Sequence, residues 1–227
     1  MKKGTKTALG ILSAVLVAGG AVAVWQWNNL NALRYGLTMN QDTLDQKLGE
    51  NQLALDQAME DYQISGFTFS DEEAAQLADG SLTAQEAAKK LVDQSGERQP
   101  AAPAEQEPQA EPVRTPEEEI RELVATMYAL RATYVGKLDA VVQSAIDEYA
   151  AGEHTAENRT RVVYDRIGEL TAMEKECDSE VAAVVSRLRK LLKASGQDDT
   201  LAREIEETYK EEKSLKKAYY LNEFRKG

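Results

Sequence analysis

The hydrophobic pattern opens with a segment that has no polar break. Thr7 to Trp27 runs 21 residues without a charge, enough at about 1.5 Å per residue to cross a hydrocarbon core of roughly 30 Å. From Trp27 a 3/4 spacing takes over through Leu30, Arg34, Leu37, Gln41, Leu44, Leu48, Asn51, Leu55, Ala58 and Tyr62, which is the period of a coiled-coil seam. The pattern predicts one membrane-proximal helix over 28–64, continuous with the apolar segment, with Leu37, Leu44, Leu48, Asn51 and Leu55 as its candidate interaction seam. Arg34, Gln41 and Asn51 interrupt that seam, and polar residues there set register and oligomer state. Two readings stand side by side: a parallel homodimer, or packing of the stripe on the small region that follows.

Ser65-Gly66 breaks this helix and opens a small helical hairpin over 65–94. Ser70 with Glu73 and Thr83 with Glu86 have the spacing of capping boxes, and Asp79-Gly80 ends the helix between them. Phe67, Phe69, Leu77, Leu82, Leu91 and Val92 are expected to close against the end of the preceding helix. All five prolines lie between Ser95 and Pro116, so 95–116 reads as a Pro/Glu/Ala-rich, extended linker. Its Pro100-Ala101-Ala102-Pro103 matches a PxxP recognition motif, a match that any proline-rich spacer produces.

Beyond it, 117–227 carries three long amphipathic patterns. Thr115-Pro116-Glu117-Glu118 supplies an N-cap, a proline at the first helical position and a glutamate to complete a box. The helix it starts shows Ile120, Leu123, Met127, Leu130, Tyr134, Leu138, Val141, Ala145 and Tyr149 on one side and extends to Gly152. A second places Val163, Ile167, Leu170, Glu174, Cys177, Val181, Val184, Leu188 and Leu191 at strict 4/3 spacing and ends at Ser195-Gly196. The third begins with Asp198 or Asp199 as cap and turns Leu201, Ile205, Tyr209, Leu215, Tyr219 and Phe224 inward. Short reversals between long helices make an antiparallel three-helix bundle the simplest arrangement. The fold class expected is therefore all-α: a transmembrane helix running into a coiled-coil-like helix, a hairpin, a linker and a long-helix bundle. An extended coil formed between chains is the rival for the last part.

Charge orients this architecture. Lys2, Lys3 and Lys6 precede the apolar segment and Trp25 and Trp27 close it, so the positive-inside rule makes 1–6 a cytoplasmic tail, 7–27 a transmembrane anchor bounded by Thr7, Trp25 and Trp27, and 28–227 extracytoplasmic. The competing reading is a secretory signal peptide cut after Ala23, because Ala21-Val22-Ala23 fits the A-x-A rule. The chain carries a formal net charge of −12, which disfavours nucleic acid as a partner. A single cysteine permits no intramolecular disulfide, and a single histidine falls short of the usual structural zinc set.

Residues able to do chemistry are few. His154 falls in a predicted turn. Cys177 occupies a core position, where a thiol behaves as a small apolar group. Glu174 interrupts the second long seam and calls for a cross-helix partner, Arg131 or another basic residue. Arg187, Arg189, Lys190 and Lys193 crowd a helix C-terminus, where the dipole favours cations with or without an acidic ligand. Asn158-Arg159-Thr160 matches a glycosylation sequon at a helix start and is read as chance. Tyr219, Tyr220 and Phe224 are candidates for a C-terminal contact or for core closure. No catalytic, cofactor or metal residues are assigned and no enzymatic activity is expected. The reading is a single-pass scaffold or adaptor of the cell envelope, held in the lipid bilayer and binding another envelope protein. The alternative is a non-enzymatic sensor or regulatory subunit that signals through a membrane partner.

Overall fold

The computed structural model describes residues 30–60, 68–96 and 114–226. Among these the chain is all-helical: α1 (Leu30–Thr38), α2 (Gln41–Glu60), α3 (Asp71–Asp79), α4 (Ala84–Gly96), α5 (Pro116–Ala151), α6 (Ala156–Ala194) and α7 (Thr200–Lys226). No helix among the described residues is long and apolar enough to cross a membrane. The candidate anchor with Thr7, Trp25 and Trp27, and residues 97–113 of the expected 95–116 linker, lie outside the described residues.

Local chemistry at the helix ends follows the sequence closely. The Glu73 N–H donates to Ser70 Oγ while Glu73 Oε2 accepts from the Ser70 N–H, and Gly80 ends α3 at φ 81°, a left-handed conformation that glycine adopts without strain. Thr83 with Glu86 and Thr115 with Glu118 make the same reciprocal pair. Thr155 caps α6 through its hydroxyl, and Asp198 accepts from the Thr200 N–H at 2.9 Å. The reversal from α5 to α6 takes four residues, Gly152 to Thr155.

One expected element is divided. The helix anticipated over 28–64 stops at Thr38 and restarts at Gln41. Asn40 makes the break: its Oδ1 accepts from the Thr43 N–H at 2.8 Å, so it begins a new helix as an N-cap instead of continuing the old one. Tyr35 and Met39 consequently pack with Leu44 and Leu48 around the cluster of Leu44, Leu215 and Ala218. A single straight helix would hold Tyr35 and Leu44 about 13 Å apart along its axis.

The described residues fall into two compact units that draw on the same long helices. The first comprises α1, α2 to Ala54, and residues 138–175 and 207–226 of α5, α6 and α7. Within it α2 runs antiparallel to α7, since Leu44 meets Leu215 and the Asn51 amide donates to the Thr208 carbonyl at 3.0 Å. Leu44, Leu48 and Asn51 of the expected stripe thus meet the chain's own last helix. Helices α5 and α6 pair antiparallel through Glu148, which holds Arg161 at 2.9 Å and Arg166 at 2.8 Å.

The second unit comprises residues 55–137 and 176–206. Its centre is the first half of α5, where Leu123, Val124, Ala125, Thr126 and Met127 are buried in succession. Five consecutive buried positions require cover on every side, which is the pattern of an enclosed helix and not of a one-sided stripe. The α3–α4 hairpin meets α5 further along, at Gly136. A Cβ placed on Gly136 would come within 2.5 Å of the Ala78 Cβ, so α3 approaches α5 as closely as a glycine permits. Leu77, Leu82 and Leu91 are buried in the same unit.

Candidate interaction surfaces

The side chains that sequence reasoning singled out go to distinct places. Of the candidate seam, Leu44 is fully buried, Leu55 is buried, Leu48 and Asn51 are half-buried, and Leu37 is 63% exposed. The turn at Met39 and Asn40 separates Leu37 from the other four. Asn51 finds its partner on α7, whereas both polar atoms of the Gln41 side chain are buried with no hydrogen-bond partner among the described residues. Of the candidate C-terminal contact, Tyr220 is buried and its hydroxyl donates to Asp139, while Tyr219 packs edge-on to Tyr220 and against the Leu44–Leu215–Ala218 cluster. Both rings therefore close the interior of the first unit. The Phe224 side chain lies outside the described residues.

Glu174 has the cross-helix cation its position demanded, but from α7. Lys217 donates to Glu174 Oε1 at 2.5 Å and the Lys213 ammonium lies 3.3 Å from the same oxygen. The Lys217 side chain is only 5% exposed, and carrying an ammonium that deep requires a carboxylate in contact. The Lys213 ammonium also stands 5.4 Å from the Tyr209 ring centre.

Two of the four cations at the basic end of α6 have carboxylate partners. Arg187 pairs with Glu119 at 3.2 Å and Arg189 with Glu206 at 2.5 Å. His154 stacks edge-on against Tyr149, whose face also receives the Arg159 guanidinium. Cys177 is a buried thiol. The Asn158 amide nitrogen of the sequon donates to the Glu153 carbonyl at 2.8 Å, and its oxygen accepts from Arg161. It is employed in closing the α5–α6 turn.

Sequence reasoning missed a recurring device: tyrosine hydroxyls that donate to carboxylates on another helix. Tyr35 reaches Glu211 at 2.9 Å and Tyr220 reaches Asp139 in the first unit; Tyr128 reaches Asp56 at 2.7 Å and Tyr134 reaches Glu180 at 3.3 Å in the second. Burial first, and then the neighbouring carboxylate, pushes the phenols of Tyr35, Tyr134 and Tyr220 above their ordinary value. Each of these bonds joins residues far apart in the chain, so no local spacing announces them.

Large apolar side chains left at the surface among the described residues are Leu37, Leu53, Ile146 and Tyr164, all in the first unit. Leu53 lies on the face of α2 opposite Leu44 and Leu55, and a lone leucine there is ordinary surface composition. Among the described residues no group of histidine, cysteine, aspartate and glutamate side chains is placed to hold a metal ion. The chain matches no protein-family model, and neither a curated protein nor a solved structure proves similar to it.

Proposed function

We propose that this protein is a single-pass, membrane-anchored helical scaffold of the cell envelope that binds another protein outside the cytoplasm. In this reading 7–27 is the transmembrane helix, 1–6 the cytoplasmic tail, the proline-rich 95–116 a spacer, and the long helices of 117–227 an antiparallel bundle that presents its outer faces to a partner. The observation that carries it is the 21-residue uncharged segment, preceded by three lysines and closed by two tryptophans, joined to an all-helical body. The side chains that catalysis would draw on have structural employment: Glu73, Glu86 and Glu118 in caps, Glu119, Glu148, Glu174 and Glu206 in ion pairs, Cys177 in the core. That distribution favours binding over chemistry.

Two measurements test the proposal. Alkaline carbonate extraction of cell membranes, with mass spectrometry of the mature N-terminus, should leave the chain in the membrane with residues 1–27 intact; a soluble chain that begins at Val24 would overturn the anchor. Crosslinking in native membranes followed by identification of captured proteins should return one recurrent envelope protein, and an unlinked chain under conditions that link known neighbours would remove the scaffold reading.

A further inference from the structure

We infer that the outer face of α1 is a lipid-contact surface: α1 lies in the headgroup boundary of the bilayer from which the anchor emerges, with Leu37 toward the acyl chains and its other side on α7. The inference rests on the anchor reading and adds to it a second, shallow contact between the folded body and the membrane.

Contacts with α7 define the two sides of α1. Ala32 is fully buried, Tyr35 donates to Glu211 at 2.9 Å and packs against the Leu44–Leu215–Ala218 cluster, and the Asn222 amide donates to the Met39 carbonyl at 2.9 Å. A Cβ on Gly36 would fall 2.6 Å from Leu221 Cδ2, so the backbone itself bears on α7 there. Positions 32, 35, 36 and 39 share one side of the helix. Asn31, Arg34, Leu37 and Thr38 are exposed on the other, with Leu37 at 63%. Position 30, also a leucine, precedes Leu37 by one heptad and falls within about 20° of it around the axis. Arg34 is the only charge in α1 and belongs to the same outer side.

A single exposed leucine is ordinary surface, and what distinguishes this face is where the chain enters it. Trp27 closes the uncharged segment, and three backbone steps, at most about 10 Å, separate it from Leu30. In the anchor reading Trp25 and Trp27 mark the bilayer interface, so α1 begins within that distance of it. A face tethered so near meets lipid at high effective concentration. Leucine directed at the acyl boundary, with an arginine beside it whose stem lets the guanidinium reach the phosphates, is the chemistry of an interfacial helix. A protein occupant fits less well, because one side of a nine-residue helix falls far short of the roughly 800 Å² per partner of a stable interface.

The stop after Thr38 gives α1 a direction of its own. Thr38 Oγ1 donates to the Arg34 carbonyl at 2.7 Å and the Met39 N–H to the Tyr35 carbonyl at 2.8 Å, which closes α1, and the Asn40 side chain then caps α2. A helix continued straight from the anchor would carry Leu37 about 15 Å beyond Trp27. One that ends at Thr38 is free to lie along the boundary while α2 departs from it.

The full chain in phosphatidylcholine vesicles tests this. Nitroxides are placed singly at Trp25→Cys, Leu37→Cys and Leu53→Cys in a Cys177→Ala background, with circular dichroism to show that the helices are kept. Leu53, 68% exposed on α2 of the same unit, is the aqueous reference. Accessibility to oxygen relative to an aqueous nickel chelate should be at least about fivefold higher at 25 and at 37 than at 53. A high ratio at 25 with 37 equal to 53 overturns the lipid contact and leaves the anchor standing. A low ratio at 25 removes the anchor and this inference with it, and a ratio at 53 as high as at 37 shows general covering of the unit and counts against α1 as the contact. The unaltered chain gives a second readout that no substitution can disturb. A diazirine-bearing phosphatidylcholine should mark the tryptic peptides 7–34 and 35–47, the latter carrying Leu37, and leave 48–89 with Leu53 unmarked. Marking confined to 7–34 overturns the contact.

Discussion

At the scale of single residues, Glu174 and Lys217 show how a polar interruption in a hydrophobic seam can be read and where reading stops. Glu174 breaks a nine-position apolar seam, so a buried partner of opposite charge is required by the cost of leaving a carboxylate unpaired in a helix interface. Which cation answers is a matter of register between α6 and α7, and the answer is Lys217 with Lys213 in support. Glu174→Ala takes a 2.5 Å carboxylate partner from an ammonium whose side chain is 5% exposed and removes the oxygen it shares with Lys213. The expected loss is about 3 kcal/mol of unfolding free energy, measured by urea titration. The double change Glu174→Leu with Lys217→Met should recover most of it, because an apolar pair of similar volume needs no compensating charge.

At the scale of elements, helix existence was legible and helix partners were not. The capping boxes at Ser70, Thr83 and Thr115 and the glycine stop at Gly80 are local chemistry, set by residues three or four apart. The break at Asn40 was also local in origin, yet the 3/4 periodicity ran straight through it and concealed it. Periodicity records which positions are apolar and is silent about where the axis turns. The second long seam shows a related drift. Cys177, Val181 and Leu188 are buried as spaced, but Val162, Val185 and Leu192 take the interior in place of Val163, Val184 and Leu191. A helix of 3.6 residues per turn departs from a strict seven-residue repeat by about 20° each heptad, so the buried stripe steps to a neighbouring residue.

Two substitutions test these element-level contacts. Gly136→Leu drives a side chain into Ala78 and should lift the α3–α4 hairpin from α5, at a cost of about 1–3 kcal/mol. Limited proteolysis should then cut within 71–96 at protease levels that leave the parent intact. Leu44→Ala empties a fully buried site against Leu215 and should lower the thermal midpoint, at about 2–5 kcal/mol, without changing the mass seen in sedimentation. A change in mass without a change in midpoint would return α2 to the role of an intermolecular seam.

At the scale of the whole molecule, the tyrosine–carboxylate bonds recur in both units and make alkaline pH a global stress. Tyr35, Tyr134 and Tyr220 have folded-state pKa values above the ordinary value of about 10. A raised value means the protonated phenol is favoured by folding, so the associated stability is fully present below pH ~10 and is lost as pH rises from there through the folded values. Circular dichroism and phenolate absorbance followed together should show the exposed tyrosines ionising first, with helix intact. The remaining phenolate signal should then appear in step with helix loss. Tyr220→Phe, which takes the phenol from Asp139, should remove part of that alkaline slope.

The sequence by itself determined that the described residues are helical, where α3, α4 and α5 begin and where α3 stops, and which stripe of each long helix is apolar, because caps, proline placement and 3.6-residue periodicity act over a turn or two. Tertiary structure decided that the N-terminal stripe of α2 is covered by α7, that α5 is enclosed over Leu123 to Met127, and that Lys217 answers Glu174. The physical reason is that a stripe of apolar residues specifies that it must be covered and carries no label for what covers it. Contacts between residues more than a hundred positions apart, such as Asn51 with Thr208 or Tyr35 with Glu211, are selected by the packing of the chain as a whole.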